Sequence, residues 1–417
     1  MIYVHEPARH RSPNLRSAQS DLPPLSPGTS WARFGRETLL YNDDDEKYGI
    51  AAGRASRGAR HPRRQVNVTR EQLHVVVQHG RLFEQQHPDV PVLHDRGRFL
   101  LVQLDPAHAR RLRSERETCY GVMPLEPDHV VFDERERVAA RAPDPAVKAL
   151  TDKLTRPAVE ATVKKLASFG SRHATSAGYD AAARFADEQF KSMGYKTVAQ
   201  EVAVGSGKTR NVIASKSPSG SAPGRIIIVS AHLDSINLEG GPSAPAPGAD
   251  DNASGSAGVL EIARIVRDRQ SRDELRFILF GGEELGLLGS RRYVASLSAS
   301  ERSTIAGVIN MDMIGSLNSP SRGVLLEGAA VSQALIDGLS EAASTYTDLT
   351  IETSLHPFSS DHVPFIEKGV PAVLAIESSD NANHTIHSAR DTVERIDYDL
   401  LTGILRMNMA FIAGSIS

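Results

Sequence analysis

The 417-residue sequence contains a single cysteine, Cys119. One cysteine cannot form a disulfide within the chain, and it excludes a zinc site built on cysteine thiolates. No run of 18 apolar residues occurs, so no transmembrane helix is expected. The first residues, MIYVHEPARHRSPNLRSAQSDLPP, have neither the apolar core nor the cleavage pattern of a secretory signal. A classical export signal is therefore not predicted.

The sequence also has little excess charge. Its formal net charge is -3 and its pI is about 6.6. It therefore has no overall basic field of the kind that nucleic-acid binding favours. The basic stretch RGARHPRR (57–64) has no interleaved aromatic residues, and we interpret it as a solvated linker. The composition predicts no nucleic-acid partner.

The length favours two domains. Residues 1–64 are rich in Pro, Ser, Arg and Gly, which predicts mostly disorder. Residues 65–132 have a strand–helix–strand pattern with RFLLVQLD (98–105) as a strand and PAHARRLRSE (106–115) as a helix. They predict a small α+β module, either an accessory domain or a propeptide-like cover for a cleft. Residues 133–146 are interpreted as a linker.

Residues 147–417 have the pattern of an α/β domain. Short apolar strands such as RIIIVSAH (225–232) and LRFILF (275–280) alternate with helices such as GSAGVLEIARIVRDRQ (255–270). This pattern predicts a mixed, mainly parallel sheet covered by helices on both faces, a three-layer αβα sandwich. In such sheets ligands bind beyond the carboxyl ends of the strands.

Polar residues follow the predicted strands at these carboxyl ends. They are His232, Asp250 with Asp251, Glu283 with Glu284, Asp312, and His384 with His387. Each is weak evidence alone, because Asp251 and Asn252, for example, could cap the helix that follows. Together they form a nitrogen and oxygen ligand set that suits Zn²⁺. Several carboxylates in one cleft would repel each other, and divalent cations would relieve that repulsion.

Five segments resemble the zinc aminopeptidases of peptidase family M28: AHLDS, PGADDNASG, FGGEELGLLGS, NMDMIG and IHSARDT. The resemblance covers roughly 147–417 and implies two Zn²⁺ ions per chain. It implies that His232 and Asp312 hold one zinc, that Glu284 and His387 hold the other, and that Asp250 bridges them. Glu283 would be the general base.

The same resemblance implies supporting features. The Asp250–Asp251 peptide bond is expected to be cis. Asp234 is expected to accept the second ring N–H of His232 and so fix its tautomer. Because relatives are often exported, the family resemblance suggests an extracytoplasmic location, although no signal is visible. The sequence leaves the compartment and the oligomeric state open.

The implied reaction is hydrolysis of the N-terminal residue of a peptide that has a free α-amine. Glu283 and Asp312 are candidates to hold that amine. In SSDHVPF (359–365), Asp361 and Phe365 are predicted to shape substrate entry, with a helix cap and a core aromatic as the alternative interpretation. Phe358, Met311 and Met313 could form an apolar specificity pocket.

Three other functions compete with an aminopeptidase. A zinc carboxypeptidase or deacylase would carry a large lid domain, and the chain between Asp312 and His387 is too short for one. A glutaminyl cyclase-like enzyme would depart from the two-metal ligand set, which is complete here. A non-catalytic binding protein on a peptidase core would lack ligands. Metal content distinguishes the binding protein from the enzymes.

Overall fold

The computed structural model describes residues 3–5, 28–42, 68–114, 120–137, 141–219 and 224–415. Cys119 and the basic stretch 57–64 lie outside these ranges. The chain divides into two units. The N-terminal unit comprises 1–136, 352–358 and 379–382, and the C-terminal unit comprises 137–351, 359–378 and 383–417. Their boundary falls inside the segment 133–146.

The N-terminal unit contains two sheets. Its elements are β1 (Tyr3–His5), β2 (Thr29–Phe34), β3 (Glu37–Asn42), β4 (Leu73–Gln78), α1 (Leu82–Gln86), β5 (Val92–Arg96), β6 (Phe99–Gln103), α2 (Pro106–Ser114), β7 (Tyr120–Pro124) and β8 (His129–Arg135). One sheet is antiparallel with the order β5-β6-β4-β7. In the other, β2 pairs antiparallel with β3 and parallel with β8. The predicted strand and helix of residues 98–115 correspond to β6 and α2.

Strands β2 and β3 form a hairpin within the segment for which the composition predicts mostly disorder. Trp31 and Phe34 are buried from one strand, and Leu39 and Tyr41 from the other. Gly35 forms the turn with φ 63°, a conformation that glycine adopts without strain. Burial of these side chains stabilises a hairpin that the average composition of residues 1–64 conceals.

The C-terminal unit is built on a large mixed sheet. Its elements are α3 (Pro145–Thr151), α4 (Arg156–Ala167), α5 (Ala177–Ser192), β9 (Lys196–Val204), β10 (Gly207–Lys216), β11 (Ile226–His232), α6 (Gly255–Val266), β12 (Glu274–Phe280), α7 (Leu288–Ser296), α8 (Ala299–Thr304), β13 (Ile305–Met311), β14 (Gly323–Glu327), α9 (Gln333–Tyr346), α10 (Val363–Ile366), β16 (Ala372–Glu377) and α11 (Tyr398–Ser415). The strand order is β14-β16-β13-β11-β12-β10-β9. Strand β15 (Thr350–Ser354) has its last three residues in the N-terminal unit.

The centre of this sheet is parallel. Strands β12, β11, β13 and β16 pair in parallel, and the antiparallel strands β10 and β14 flank them. Ile226 and Ile228 pack with Tyr293 of α7 on one face, whereas α6 packs on the strands β11, β12 and β13. Side chains alternate between faces along a strand, so this arrangement buries both faces. The predicted three-layer fold is confirmed.

The parallel centre determines where the functional side chains meet. The carboxyl ends of β11, β12, β13 and β16 share one edge of the sheet. The loops that follow these four strands carry the polar segments identified in the sequence. In the described part of the chain, no helix has the length and apolar character needed to cross a membrane.

Candidate metal centre

Residues from all four parallel strands converge at this edge. His232 is the last residue of β11, and Asp312 directly follows β13. Glu283 and Glu284 follow β12 after two glycines, of which Gly282 has φ 80°. The loop after β16 supplies His387. The predicted convergence of these segments is therefore present in the structure.

His232 forms the first half of the cluster. Its Nε2 atom lies 3.1 Å from Oδ1 of Asp312 and 3.1 Å from Oδ1 of Asp251. The imidazole is 1% exposed, so these contacts are sheltered from water.

His387 forms the second half. Its Nε2 atom lies 3.0 Å from Oε2 of Glu284 and 3.1 Å from Oδ2 of Asp251. The two carboxylate oxygens of Asp251 thus face two different histidines. Ligand atoms from His232, Asp251 and Glu284 all lie within 4.8 Å of one another. Asp251 is the bridge between the halves.

The family resemblance implies Asp250 as this bridge, whereas in the structure Asp251 faces both histidines. Asp250 is turned away: its Oδ1 accepts a hydrogen bond from the Gly315 amide, and its Oδ2 accepts one from Asn383 Nδ2, each 2.8 Å long. Neighbouring side chains on an extended chain point in opposite directions, so only one of two adjacent aspartates can face the cluster. The cis bond is Asp251–Asn252, not the expected Asp250–Asp251.

Asp391 fixes the turn that carries Asp251. Its two carboxylate oxygens accept hydrogen bonds from the main-chain amides of Asp250 and Asp251, both 2.9 Å long. The side chain is 1% exposed. Asp391 does not stand out in the sequence, because an aspartate four residues after His387 has the pattern of an ordinary loop acid.

Asp234 connects the loops after β11 and β12. Its carboxylate accepts hydrogen bonds from the amides of Glu283 (3.2 Å) and Glu284 (3.3 Å). It lies next to His232 as expected, but Nδ1 of His232 is closer to the main-chain oxygen of Asp234 (3.1 Å) than to its carboxylate (3.7 Å). Either acceptor favours a proton on Nδ1, which leaves the Nε2 lone pair directed at the cluster.

A buried chain of hydrogen bonds orients Asp312. Ser230 Oγ donates to Asn310 Oδ1, Asn310 Nδ2 donates to Ser360 Oγ, and Ser360 Oγ donates to Asp312 Oδ2 over 2.7 Å. This last bond occupies one oxygen of Asp312 and leaves Oδ1 facing His232. Ser360 belongs to the SSDHVPF segment, whose role here the sequence did not reveal.

The electrostatics of the cluster favour a bound cation. Burial raises the pKa of Glu283 well above its usual value, and repulsion from Asp312 and Asp361 adds to this, although His232 opposes it. Burial and the Asp251 charge raise the pKa of Glu284 to about 7. By contrast, hydrogen bonds from the two histidines outweigh burial and lower the pKa of Asp251. Positive charge placed among these carboxylates would stabilise their ionised forms.

The two predicted pocket residues of SSDHVPF lie in different surroundings. Asp361 is fully buried beside the cluster, and burial raises its pKa to about 7. Phe365 is 0% exposed and packs against Phe280 and Tyr293 in the core. The alternative interpretation of Phe365 as a core aromatic is therefore correct. Met311 is likewise fully buried.

The residues present suit two divalent cations. Separations of 3.0–3.1 Å between histidine nitrogens and carboxylate oxygens approach the roughly 3.3 Å between tetrahedral ligands at about 2.0–2.1 Å from zinc. Glu284 Oε1 is buried without a hydrogen-bond partner among the described residues. One cation would fit between His232, Asp312 and Asp251, and a second between His387, Glu284 and Asp251.

Comparison with known proteins finds similar peptidases. Residues 211–412 match the model of peptidase family M28. The matched segment, just under half of the chain, is similar to this family. Aminopeptidase YwaD of Bacillus subtilis is 32% identical over 196 residues, which is 46% of this chain and 42% of that protein. Leucine aminopeptidase 1 of Penicillium rubens is 31% identical over 200 residues, 44% of this chain and 51% of that one.

The chain spans about half the length of these two relatives. A solved structure, the zinc aminopeptidase BSAP from Bacillus subtilis, superimposes with a TM-score of 0.58 at 18% identity. It covers 63% of this chain and 95% of its own. At this identity the similarity shows a shared fold. The family resemblance indicated by the five sequence segments is confirmed.

Proposed function

We propose that this chain is a metallo-aminopeptidase that removes N-terminal residues from peptides with two zinc ions and a glutamate base. The observation that carries the proposal is the position of the Asp251 carboxylate between two histidines. Each of its oxygens lies 3.1 Å from a different histidine. Each histidine has a further carboxylate neighbour, Asp312 or Glu284. Such a paired N/O set is what a two-metal hydrolase needs.

In this proposal His232 and Asp312 would hold one zinc, His387 and Glu284 would hold the other, and Asp251 would contribute to both. When bound, the pair would lower the pKa of a shared water and polarise the scissile carbonyl. The protein's own contribution is alignment. The carboxylate of Asp234 accepts a hydrogen bond from the Glu284 amide, and that of Asp391 accepts one from the Asp251 amide. Ser360 Oγ donates to the carboxylate of Asp312.

Glu283 is the proposed general base. It is adjacent in sequence to the ligand Glu284, and Asp234 anchors the amides of both. Two neighbours at a strand-to-loop turn can point in different directions, which leaves Glu283 free to take a proton from water. The same carboxyl would then deliver that proton to the leaving amine.

The proposed substrate is a peptide with a free N-terminal amine. An ammonium group is attracted to a site rich in carboxylates, of which Glu283 and Asp312 are candidates for direct contact. An acetylated N-terminus removes this charge. We therefore expect strong discrimination against blocked peptides.

A panel of aminoacyl-4-nitroanilides with matched N-acetyl controls tests this proposal, with and without chelator. Free aminoacyl substrates should be cleaved, whereas acetylated ones should not be, and chelation should abolish cleavage. Zinc content by mass spectrometry should approach two per chain. Cleavage of acetylated substrates would favour a deacylase. Cyclisation of N-terminal glutamine without hydrolysis would favour a cyclase, and a chain without bound metal or turnover would be a binding protein.

Substitution of Glu283 by glutamine tests the base. We expect Glu283→Gln to lower kcat by about 10²–10⁴-fold, because it removes a general base, and to leave zinc content and unfolding temperature near those of the wild type. Glu188→Gln on the exposed part of α5 makes the same chemical change away from the site and should alter none of these. Wild-type kcat in Glu283→Gln would contradict the assigned role.

A further inference from the structure

Arg172 is a fully buried cation that binds main-chain oxygens only. It is among the largest fully buried side chains in the described residues. Its guanidinium donates to the oxygens of Leu233 (2.8 Å), Gly248 (2.9 Å), Pro247 (2.5 Å) and Leu166 (3.3 Å). Within the described ranges, no carboxylate is within ion-pair distance of it. A buried charge held in this way is costly unless other charges compensate it.

The oxygens that Arg172 binds belong to the two loops that carry the halves of the cluster. Leu233 directly follows His232. Gly248 lies three residues before Asp251 and has φ 52°. One planar guanidinium thus joins the end of β11 to the turn that supplies the bridging aspartate. Its rigid fork of donors can satisfy several oxygens at fixed angles, which an ammonium cannot do.

The surroundings of Arg172 fit this side chain closely. Ser235 Oγ accepts a hydrogen bond from the Arg172 amide (3.1 Å) and donates one to the Ala246 oxygen (2.7 Å). A Cβ atom on Gly248 would lie 2.5 Å from Cβ of Ser235 and 3.0 Å from Nη2 of Arg172. The segment around Arg172 therefore lies between the two loops and is bonded to both.

The charge of Arg172 is balanced by the acidic residues of the site. Burial lowers its pKa to about 10, whereas the charges of Asp391, Asp234 and Asp251 act in the opposite direction. The side chain thus stays protonated at neutral pH.

We propose that Arg172 is a positioning residue that sets the distance between His232 and Asp251 and so tunes the metal affinity of the cluster. This inference rests on the proposed function, since it requires that the cluster binds zinc. Residues that orient metal ligands typically change metal affinity by 10–100-fold when they are replaced.

Zinc affinity, measured by competition with a chromophoric chelator, tests this role. Arg172→Lys keeps the charge but cannot bond all four oxygens, and we expect it to weaken zinc binding by about 10–100-fold. Ser235→Ala is milder, because it removes only the hydroxyl between Arg172 and Ala246. We expect it to weaken zinc binding by a smaller factor. The unfolding temperature of each metal-free variant is measured in parallel.

Tyr195→Phe is the matched control for lost stability. It removes a buried hydrogen bond to the Ala263 oxygen, where Tyr195 packs beside Phe190 and Phe277. It should lower the unfolding temperature without a change in zinc affinity. If Arg172→Lys and Ser235→Ala behave like Tyr195→Phe, with zinc affinity within twofold of wild type, the positioning role is wrong.

Three further outcomes keep the inference separate from the proposed function. If Arg172→Lys does not fold, Ser235→Ala decides the question alone, and wild-type zinc affinity in that variant overturns the positioning role. A wild-type chain that binds no zinc overturns the proposed function and this inference together. Tight binding by wild type and by both variants overturns only the inference.

Discussion

Two adjacent aspartates at the start of α6 have different tasks. Asp251 presents one oxygen to each histidine of the cluster. Asp250 instead accepts hydrogen bonds from Gly315 and Asn383 and has the buried Glu377 beside it. Burial raises the pKa of Asp250 to about 6. The first aspartate fastens the turn to neighbouring loops, and the second faces the cluster.

This difference gives a paired prediction. Asp251→Asn should lower zinc content from about two per chain to one or less, because an amide nitrogen replaces one of the two bridging oxygens. Its kcat should fall at least about 100-fold, the upper range for loss of an outer-shell partner. Asp250→Asn should keep its zinc and lose mainly stability. Metal analysis and kinetics on both variants measure this.

The isosteric pair contains its own control, since both changes remove one negative charge at neighbouring positions. Loss of zinc in Asp250→Asn with full retention in Asp251→Asn would restore the assignment made from the sequence. Equal loss in both variants would mean that net charge, rather than position, decides the metal affinity.

At the scale of single residues, residue type was enough to predict some members of the site. The other members depend on the direction in which a side chain points. His232 and Asp312 each stand alone after a strand, so the strand order was enough to mark them as candidates. The choice of Glu284 over Glu283 and of His387 over His384 came from the family resemblance. Asp250 and Asp251 are chemically identical, and the choice between them depends on main-chain dihedral angles of the turn. Asp391 and Arg172 act on main-chain atoms, which leave no residue pattern to recognise.

At the scale of elements, the sheet explains why distant segments meet. Parallel strands β12, β11, β13 and β16 end together, and each loop at that edge contributes a side chain. The apolar runs predicted these strands well, because fully buried strands are short and continuously hydrophobic. The short strand β15 and the helices α7 and α8 were not predicted, since their apolar faces are narrow and their contacts are tertiary.

The junction between the segment of Arg172 and α5 is tight, which leads to an element-scale prediction. A Cβ atom on Gly178 would lie 1.9 Å from the main-chain oxygen of Ser171 and 3.0 Å from that of Phe169. Alanine favours a helix over glycine by up to about 1 kcal/mol. The clash should outweigh this, so Gly178→Ala should destabilise the protein by about 1–3 kcal/mol. Urea unfolding followed by far-ultraviolet circular dichroism measures the change.

Gly414→Ala is the control for this prediction. Gly414 lies in the last turn of α11, and a Cβ atom there would meet no atom of the described residues within 4 Å. The same substitution should be neutral or slightly stabilising, by at most about 1 kcal/mol. A Gly178→Ala variant as stable as Gly414→Ala would show that the backbone at Ser171 yields freely.

At the scale of the whole molecule, the C-terminal unit concentrates buried acids. Burial raises the pKa of Glu284 to about 7 and that of Asp391 to about 8, and it raises the pKa of Glu283 and Glu377 well above their usual values. The net charge of the chain is only -3, so this concentration is local. The fold therefore holds a local excess of negative charge that cations in the cluster would offset.

This concentration predicts an unusual pH dependence for the metal-free protein. A carboxyl whose folded pKa exceeds its unfolded value binds more protons when folded, so its stabilising contribution is lost as pH rises between the two values. For Glu284 this window runs from its ordinary pKa of 4.5 to about 7. In chelator, the unfolding temperature should therefore fall from pH 5 to pH 7.5. Saturating zinc should stabilise the protein increasingly over the same range, because the ligands must lose protons to bind it.

Differential scanning calorimetry in chelator and in zinc, at half-unit pH intervals, measures both trends. Histidines with a lowered pKa, such as His129 in the N-terminal unit, act in the opposite direction, because protonation on acidification favours the unfolded state. The difference between wild type and Glu284→Gln removes their contribution. Without metal, the unfolding temperature of Glu284→Gln should fall less than that of wild type as pH rises. A metal-free wild type that becomes more stable relative to Glu284→Gln as pH rises would contradict the account, because it would mean that Glu284 is ionised and stabilised in the folded chain without any cation.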